Sequence, residues 1–150
     1  MVIFSAKLTK GKLIAAVLAG GVMLCAAIIA VSMLKGGNAA AAGTEEERMI
    51  YIRSFGWEVG DGEDFCEIAI PEEFDDVYKK YNELQIAQGF DLEKYQGKTV
   101  EQYTYTITNY PTGENGVLCH MLVYKGKVIG GDVMSPRLDG FMHGFSAEAE

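Results

Sequence analysis

The chain has 150 residues, of which 49% are hydrophobic, and a formal net charge of −8. Residues 1–35 hold four of the 13 basic residues and none of the 21 acidic ones, so residues 36–150 carry a net charge of −12. This acidity argues against partners that require basic patches, namely nucleic acid and anionic membrane surfaces.

An uncharged run of 22 residues occupies positions 13–34. As a helix it would be about 33 Å long, which matches the hydrocarbon core of a bilayer. Three lysines precede the run within residues 1–12, whereas only Lys35 follows it closely. Because basic flanks stay in the cytoplasm, we predict a signal-anchor transmembrane helix at 13–34. The protein would then be a single-pass cell-membrane protein with a basic cytoplasmic stub and an extracytoplasmic C-terminal domain.

Two other interpretations of this run stay open, and a further hypothesis concerns how the span would pack. A cleaved secretory signal would have an apolar stretch of 7–15 residues, and the alanines at 39–42 would offer a cleavage site. A buried helix of a soluble protein is the second alternative. Ala16 and Gly20 place small residues four apart on one helix face, which is the basis for a further hypothesis of a weak homodimer through the span.

The segment after the span is predicted to be a tether at 35–43, one domain at 44–145 and a tail at 146–150. About 100 residues suffice for one hydrophobic core and not for two. Thr44 and Glu47 fit a capping box that begins a short helix, in which Ile52 faces inward and Arg48 outward.

A longer helix is predicted at 71–88, starting at Pro71. Its inward stripe consists of apolar residues at helical spacing: Phe74, Val77, Tyr78, Tyr81 and Leu84.

Strand patterns account for most of the remaining domain. Residues 57–59 and 65–70 flank a Gly-Asp-Gly turn and are predicted to form a hairpin. Residues 99–110, 117–124 and 127–134 are predicted to form an antiparallel meander, with a tight turn at Lys125-Gly126. The expected fold class is therefore α+β, an antiparallel sheet of about five strands packed against one long helix.

The two cysteines of the domain leave two alternatives open. Cys66 and Cys119 both lie in apolar strand patterns, with Cys66 on the inward side. They are either buried thiols or the two ends of one disulfide, which requires their Cα atoms to lie within about 7 Å.

The densest cluster of unusual residues lies near the C-terminus and supplies the candidate binding residues: Gly130, Gly131, Asp132, Asp139, Phe141 and His143. Two glycines at a strand end indicate a bulge or a close backbone approach. One interpretation has Asp132 accept backbone hydrogen bonds at a turn. The other has Asp132, Asp139 and His143 converge on a divalent ion or a cationic ligand, although their spacing matches no known ligand pattern.

The sequence predicts no catalytic residues, no metal ligands and no cofactor. Cys119 and His120 are neighbours on a strand, so their side chains point to opposite faces and cannot act as a nucleophile and its base. The terminal run 140–145 is expected either to dock on the core or to form an exposed apolar patch.

Several runs together resemble a family of uncharacterised, clostridial-type Gram-positive proteins. The runs are Phe55-Gly56-Trp57-Glu58-Val59, Tyr81-Asn82 with Gln88-Gly89-Phe90, Tyr103-Thr104-Tyr105 and Ile129-Gly130-Gly131-Asp132-Val133 with Asp139-Gly140-Phe141-Met142-His143. The resemblance covers about residues 44–145. It implies one N-terminal membrane segment followed by one outer domain of unknown function, and it supplies no activity and no site residues.

Two functions are therefore expected as alternatives. The first is a membrane-anchored extracytoplasmic interaction module without catalysis, whose partner is an envelope protein or peptide met at the sheet or at segment 130–144. The second is a small-ligand or metal-binding sensor, or a hydrolase, that uses Asp132, Asp139 and His143.

Overall fold

The computed structural model describes residues 40–146. The predicted stub, transmembrane helix, tail and most of the tether lie outside these residues. Within residues 40–146, no helix is both long enough and apolar enough to cross a membrane.

The described residues form two helices, one 3-10 helix and five strands. In chain order these are α1 (Glu45–Arg53), β1 (Asp64–Ala69), α2 (Asp76–Ala87), the 3-10 helix (Leu92–Tyr95), β2 (Thr99–Thr106), β3 (Leu118–Tyr124), β4 (Lys127–Met134) and β5 (Met142–His143). The strands form one antiparallel sheet in the order β1-β2-β3-β4-β5. The predicted α+β class with a five-stranded antiparallel sheet is confirmed.

Local sequence signals place several elements as expected. The capping box at α1 is present: the Thr44 hydroxyl accepts a hydrogen bond from the Glu47 amide at 3.2 Å, and the Glu47 carboxylate accepts one from the Thr44 amide at 3.1 Å. Lys125 and Gly126 both have positive φ, 51° and 71°, which closes the two-residue turn between β3 and β4.

Helix α2 begins later than predicted, at Asp76 rather than at Pro71. The Asp75 carboxylate accepts a hydrogen bond from the Tyr78 amide at 2.7 Å, and this cap fixes the first turn. The predicted apolar stripe is also wrong in part, because Val77 is 76% exposed, whereas Asn82 and Gln85 are buried.

The predicted hairpin between residues 57–59 and 65–70 is wrong. Val59 forms an isolated bridge with Ile107, and β1 pairs with β2 instead. The Asn109 side chain explains the difference, because it bonds to the Glu58 amide and to the Gly56 carbonyl, both at 2.8 Å, and holds residues 56–58 beside the end of β2. Strand β1 is left at the edge of the sheet.

Each face of the sheet packs against one helix. On the α1 face, Ile52 packs with buried residues of the central strands, among them Tyr105, Cys119 and Met121. On the α2 face, the cluster contains Val100, Leu122, Ile129 and Leu92, with Tyr78 and Tyr81 of α2 packed against it. Cys119 and His120 therefore face opposite sides, as the alternation predicted.

A β-bulge in β4 sets the alternation of its side chains. Leu122 pairs with Gly130 and Val123 pairs with Val128, so Ile129 is the extra residue. Both Ile129 and Gly130 consequently face α2. The bulge leaves both Val128 and Val133 on the α1 face, and it turns Asp132 towards α2.

Candidate functional site

Asp132 is the buried centre of a polar cluster on the α2 face. The residue is 1% exposed, and its two carboxylate oxygens have different hydrogen-bond partners. The Tyr81 hydroxyl donates to Oδ1 at 2.8 Å, and Nδ1 of His120 lies 3.1 Å from Oδ2. Three elements thus contribute one residue each, because Tyr81 belongs to α2 and His120 pairs with Asp132 across β3 and β4.

The Tyr81 hydroxyl keeps its proton and therefore donates its hydrogen bond to Asp132. Burial, followed by the neighbouring Asp132 carboxylate, raises the pKa of the Tyr81 hydroxyl well above its usual value. Nε2 of His120 is not part of this contact, and the His120 side chain is 20% exposed.

This arrangement orients an imidazole but supplies it with no cysteine nucleophile. Cys119 is buried on the opposite face, where burial and then the charge of Asp132 raise the pKa of its thiol. A protonated, enclosed thiol is a poor nucleophile. Cys66, the other cysteine of the described residues, is exposed on β1, and both thiols are free. Cys66 lies on the α2 face of the sheet, as its alternation with Ile68 predicts, but the predicted burial or disulfide pairing of its thiol is wrong, because β1 lies at the open edge of the sheet.

His143 belongs to a different cluster, made of stacked rings at one end of the sheet. Its Nδ1 lies 2.7 Å from the Gly144 carbonyl oxygen, so Nδ1 carries the proton, and Nε2 accepts from the Tyr110 hydroxyl at 3.1 Å. The ring stacks on Phe141 with centroids 5.5 Å apart, and Tyr110 stacks on Trp57 at 5.7 Å. Both ring nitrogens of His143 are therefore engaged.

The three residues predicted to converge have separate partners. Asp139 is exposed and lies 3.7 Å from the Arg137 guanidinium, whereas Asp132 contacts Tyr81 and His120, and His143 pairs with Val133 on the other face. Residues 40–146 contain no group of three or more His, Cys, Asp or Glu side chains placed to hold a metal ion.

Gly130 and Gly131 lie where β4 meets α2 and the C-terminal segment. A Cβ at Gly130 would lie 2.9 Å from the Gln85 side-chain oxygen, and one at Gly131 would overlap the Phe145 ring. The Gln85 oxygen accepts a hydrogen bond from the Gly131 amide at 2.8 Å, and the Gln88 amide donates to the Gly131 carbonyl at 2.9 Å. Two glutamines thus occupy the hydrogen-bonding positions of a neighbouring strand.

A row of apolar side chains crosses the sheet at one end of its α2 face, outside the part that packs against α2. Leu118 pairs with Met134, and Met134 pairs with Met142, so the three side chains are aligned across β3, β4 and β5. None of them belongs to the two core clusters, and Met142 is 49% exposed. We call these three residues the methionine row. Its neighbour in the next cross-strand row is His120, opposite Asp132.

Sequence reasoning missed His120, Tyr81 and the two glutamines as site residues. The available signal was polar residues at helical spacing on the same side of α2 as Tyr81, namely Gln85 and Gln88. Phe145, by contrast, docks as expected of a terminal apolar residue and is 1% exposed. The adjoining cleft has a volume of about 210 Å³ and is lined by residues that include Tyr51, Phe55, Leu84 and Phe90. It is smaller than the pockets that usually enclose a small-molecule ligand.

Comparisons with known proteins give a family and no activity. Neither the curated proteins nor the solved structures include a match to this chain. One family model, described as a domain of unknown function (DUF4830), matches residues 51–133. The matched segment extends from within α1 to Val133 and includes the Tyr81–His120–Asp132 cluster. The chain therefore belongs to the DUF4830 family, as the resemblance to an uncharacterised family predicted.

Proposed function

We propose that this chain is a non-catalytic binding module, anchored in the cell membrane by residues 13–34, with its domain on the outer side. Its partner is an envelope protein or peptide that docks on the methionine row, in an envelope of the Gram-positive type that the resemblance implies. The methionine row is the observation that carries the proposal.

The row has the composition and position of a docking surface. Its three apolar side chains lie side by side on regular strands, yet they pack into neither core cluster. Leu138, in the loop between β4 and β5, is exposed as well. Methionine side chains are flexible and polarizable, so they adapt to the shape of a partner. Aligned apolar groups beside polar ones are typical of interaction sites.

Charge indicates the chemistry of the partner. The chain after residue 35 carries a net charge of −12. Asp139 is 85% exposed on the loop that also contains Leu138. A partner with apolar anchors flanked by lysine or arginine would be attracted and oriented by this charge. Nε2 of His120, which the contact with Asp132 does not use, offers one further hydrogen-bonding atom beside the row.

The experiment is site-specific photo-crosslinking of the full-length protein in its native membranes. A photoreactive residue replaces Met142, or, as a control, Ile50, which is exposed to a similar extent on α1 (49% and 57%). We expect one crosslinked species at position 142 that is absent at position 50. Met134→Lys should abolish the crosslink, whereas Ile86→Lys, on exposed α2 surface, should preserve it.

Two results would contradict the proposal. The first is equal crosslinking at positions 142 and 50, which would indicate random collisions. The second is a crosslink at 142 that persists in Met134→Lys while the variant remains folded. Fluorescence of the single tryptophan, the buried Trp57, reports whether each variant is folded.

A further inference from the structure

Strand β1 forms the open edge of the sheet. Within the described residues it pairs only with β2, whereas the opposite edge is covered by β5 and by Ala41, which bridges Lys127. Five of the six residues of β1 are exposed, and Ile68 is half-buried. The outer side of Asp64–Ala69 is therefore accessible to another strand, and we call it the β1 edge.

The backbone groups that face outwards belong to alternate residues of β1. The Ile70 amide donates a hydrogen bond to the Lys98 carbonyl at 2.9 Å, and the pairing of β1 with β2 continues from there without a shift. Because backbone groups alternate in direction along an antiparallel strand, the even-numbered residues of β1 bond towards β2. The N–H and C=O groups of Phe65, Glu67 and Ala69 consequently point outwards. Such a row is a template on which an extended chain can pair.

The side chains of the same three residues lie on the α1 face. The Phe65 ring is 56% exposed and lies 5.3 Å from the Tyr103 ring, which packs against the α1-face cluster. Glu67 pairs with Glu101 of β2, so two carboxylate side chains are direct cross-strand neighbours. The Tyr103 hydroxyl donates to Glu101 at 3.4 Å, but neither glutamate belongs to an ion pair among residues 40–146. Like charges directly opposite each other destabilise a sheet, so a cation beside this pair would be stabilising.

We propose that the β1 edge binds an extended peptide segment that carries lysine or arginine at every second position. The segment adds antiparallel to β1 as a further strand, and its basic side chains lie on the α1 face, opposite Glu67 and its neighbours. Backbone pairing supplies the affinity, and the paired glutamates supply the preference for cations. A second copy of β1 fits poorly, because Asp64–Ala69 contains two acidic residues and no basic one. The inference rests on neither the membrane anchor nor the methionine row of the proposed function.

The test is disulfide capture by Cys66, whose exposed thiol lies between two outward-facing residues of β1. The full-length Cys25→Ala protein in neutral detergent receives a short peptide of alternating threonine and lysine, whose central threonine is replaced by a cysteine activated as a mixed disulfide. In the proposed pairing this cysteine lies opposite Cys66 at a position without hydrogen bonds, where Cα atoms are about 4.5 Å apart and a disulfide forms readily. We expect capture about tenfold faster than for the matching peptide of threonine and glutamate, because only the lysines complement the edge. Mass spectrometry measures the adduct.

N-methylated peptides of equal charge separate strand pairing from general attraction. Methyl groups on the two lysines beside the cysteine replace N–H groups that face β1, and the loss of two hydrogen bonds should slow capture about tenfold. Methyl groups on the two nearest threonines replace N–H groups that face away from β1. These should leave the rate within about twofold of that of the parent peptide, because the alternation keeps them out of the ladder.

Two protein variants of equal charge test the glutamates. Glu67→Gln/Glu101→Gln should slow capture of the lysine peptide about fivefold, as the loss of exposed ion pairs does. Glu83→Gln/Glu93→Gln, at exposed positions of α2 and the 3-10 helix, should react like the parent protein. Oxidised mercaptoethanol, a small neutral disulfide, reports the intrinsic reactivity of the thiol in each variant, and tryptophan fluorescence reports folding.

Three results would overturn the inference. The first is an equal rate for the lysine and glutamate peptides, and the second is an equal effect of the two methylation patterns, which would indicate general attraction without strand pairing. The third is a covalent dimer through Cys66 that forms in preference to the peptide adduct, which would assign the edge to a second copy. Crosslinking at Met142 tests the proposed function separately, since the methionine row lies at the other end of the strand order.

Discussion

Arg48 is enclosed by partners from three other parts of the chain. It is 4% exposed, and Nη2 lies 2.9 Å from the Glu63 carboxylate. Its Nε donates to the Tyr105 hydroxyl at 2.9 Å, and Nη1 donates to the Ala42 carbonyl at 3.1 Å. The guanidinium also lies over the Tyr103 ring at 3.6 Å. The predicted outward orientation is wrong because these acceptors satisfy the charge inside the domain.

Loss of this guanidinium should destabilise the domain strongly. Arg48→Ala leaves the Ala42 carbonyl without its donor, and it leaves the Glu63 carboxylate without a cation beside it and with only the Tyr105 hydroxyl as donor, at an expected cost of about 3–5 kcal/mol. The control is Arg53→Ala on the exposed side of the same helix, which should cost less than about 0.5 kcal/mol. Urea unfolding of the full-length protein in detergent, followed by Trp57 fluorescence, measures both. Equal midpoints for the two variants would refute the role assigned to Arg48.

Cys119 links stability to alkaline pH. Burial raises its pKa above the ordinary thiol value of 9.0 in the folded protein, whereas the unfolded thiol ionises normally. Its contribution to stability is complete below pH 9 and is lost as pH rises further, because the unfolded state then releases the proton first. Between pH 8 and 10, the free energy of unfolding should fall by about 1 kcal/mol from this residue.

Two cysteine variants separate this effect from general alkaline unfolding. Cys119→Ala should reduce the loss of stability between pH 8 and 10 by the share that this thiol contributes, and the buried tyrosines with raised pKa, among them Tyr81, should account for the decline that remains. Cys66→Ala, which removes an exposed thiol, should keep the slope of the parent protein. A decline in Cys119→Ala as steep as that of the parent would assign the whole pH dependence to other groups.

At the scale of elements, β4 is the strand that contacts α2 and both ends of the described segment. Ala41 bridges its first residue, Gln85 and Gln88 bond to Gly131, and β5 pairs with Val133 and Met134. The open edge of β4 is thereby covered along most of its length, which removes a site for unwanted strand pairing. Strand β1, at the opposite edge, has mostly exposed side chains.

Gly131→Ala tests this junction. The added Cβ would overlap the Phe145 ring and the His120 carbonyl oxygen, so either Phe145 leaves its site or β4 shifts. We expect a loss of about 2–3 kcal/mol, as for other overpacked sites. Gly60→Ala is the control, because its nearest neighbour would be the Thr108 side chain at 3.6 Å and its φ is not positive. Chemical denaturation should show Gly60→Ala within about 0.5 kcal/mol of the parent; similar losses for both would argue against a specific role for Gly131.

At the scale of the whole molecule, the proposed membrane anchor predicts the side of the membrane on which the domain lies. The lysine distribution around residues 13–34 predicts an outer location. Cys66 reports it directly, because its thiol is exposed whereas that of Cys119 is buried.

A membrane-impermeant maleimide applied to intact cells should label Cys66 of the full-length protein. Cys66→Ser should lose the label, and Cys119→Ser should keep it. Labelling of Cys66 only after the cells are permeabilised would place the domain inside and contradict the predicted orientation.

The sequence by itself determined the features that depend on neighbours along the chain. The α1 capping box, the Lys125-Gly126 turn and the period-two alternation of β2 and β3 each involve residues within a few positions, so their physics is local. They sufficed for the α+β class, the meander and the opposite faces of Cys119 and His120. The acidic balance and the uncharged run at 13–34 belong to the sequence as well, and the membrane assignment that follows from them stays a prediction.

Only the tertiary structure decided which distant side chains meet. Asp132 contacts His120 because a single extra residue, Ile129, resets the alternation of β4; the glycine pair at 130–131 indicated a bulge or a close approach, but not which residue is extra. Arg48, Asn82 and Gln85 are buried because groups from other elements bond to the Arg48 guanidinium, the Asn82 side-chain oxygen and the Gln85 side-chain oxygen. Polarity alone predicted that Arg48 is exposed, because burying a charge is costly unless partners compensate for it. Those partners lie far along the chain and cannot be identified from the residues next to Arg48.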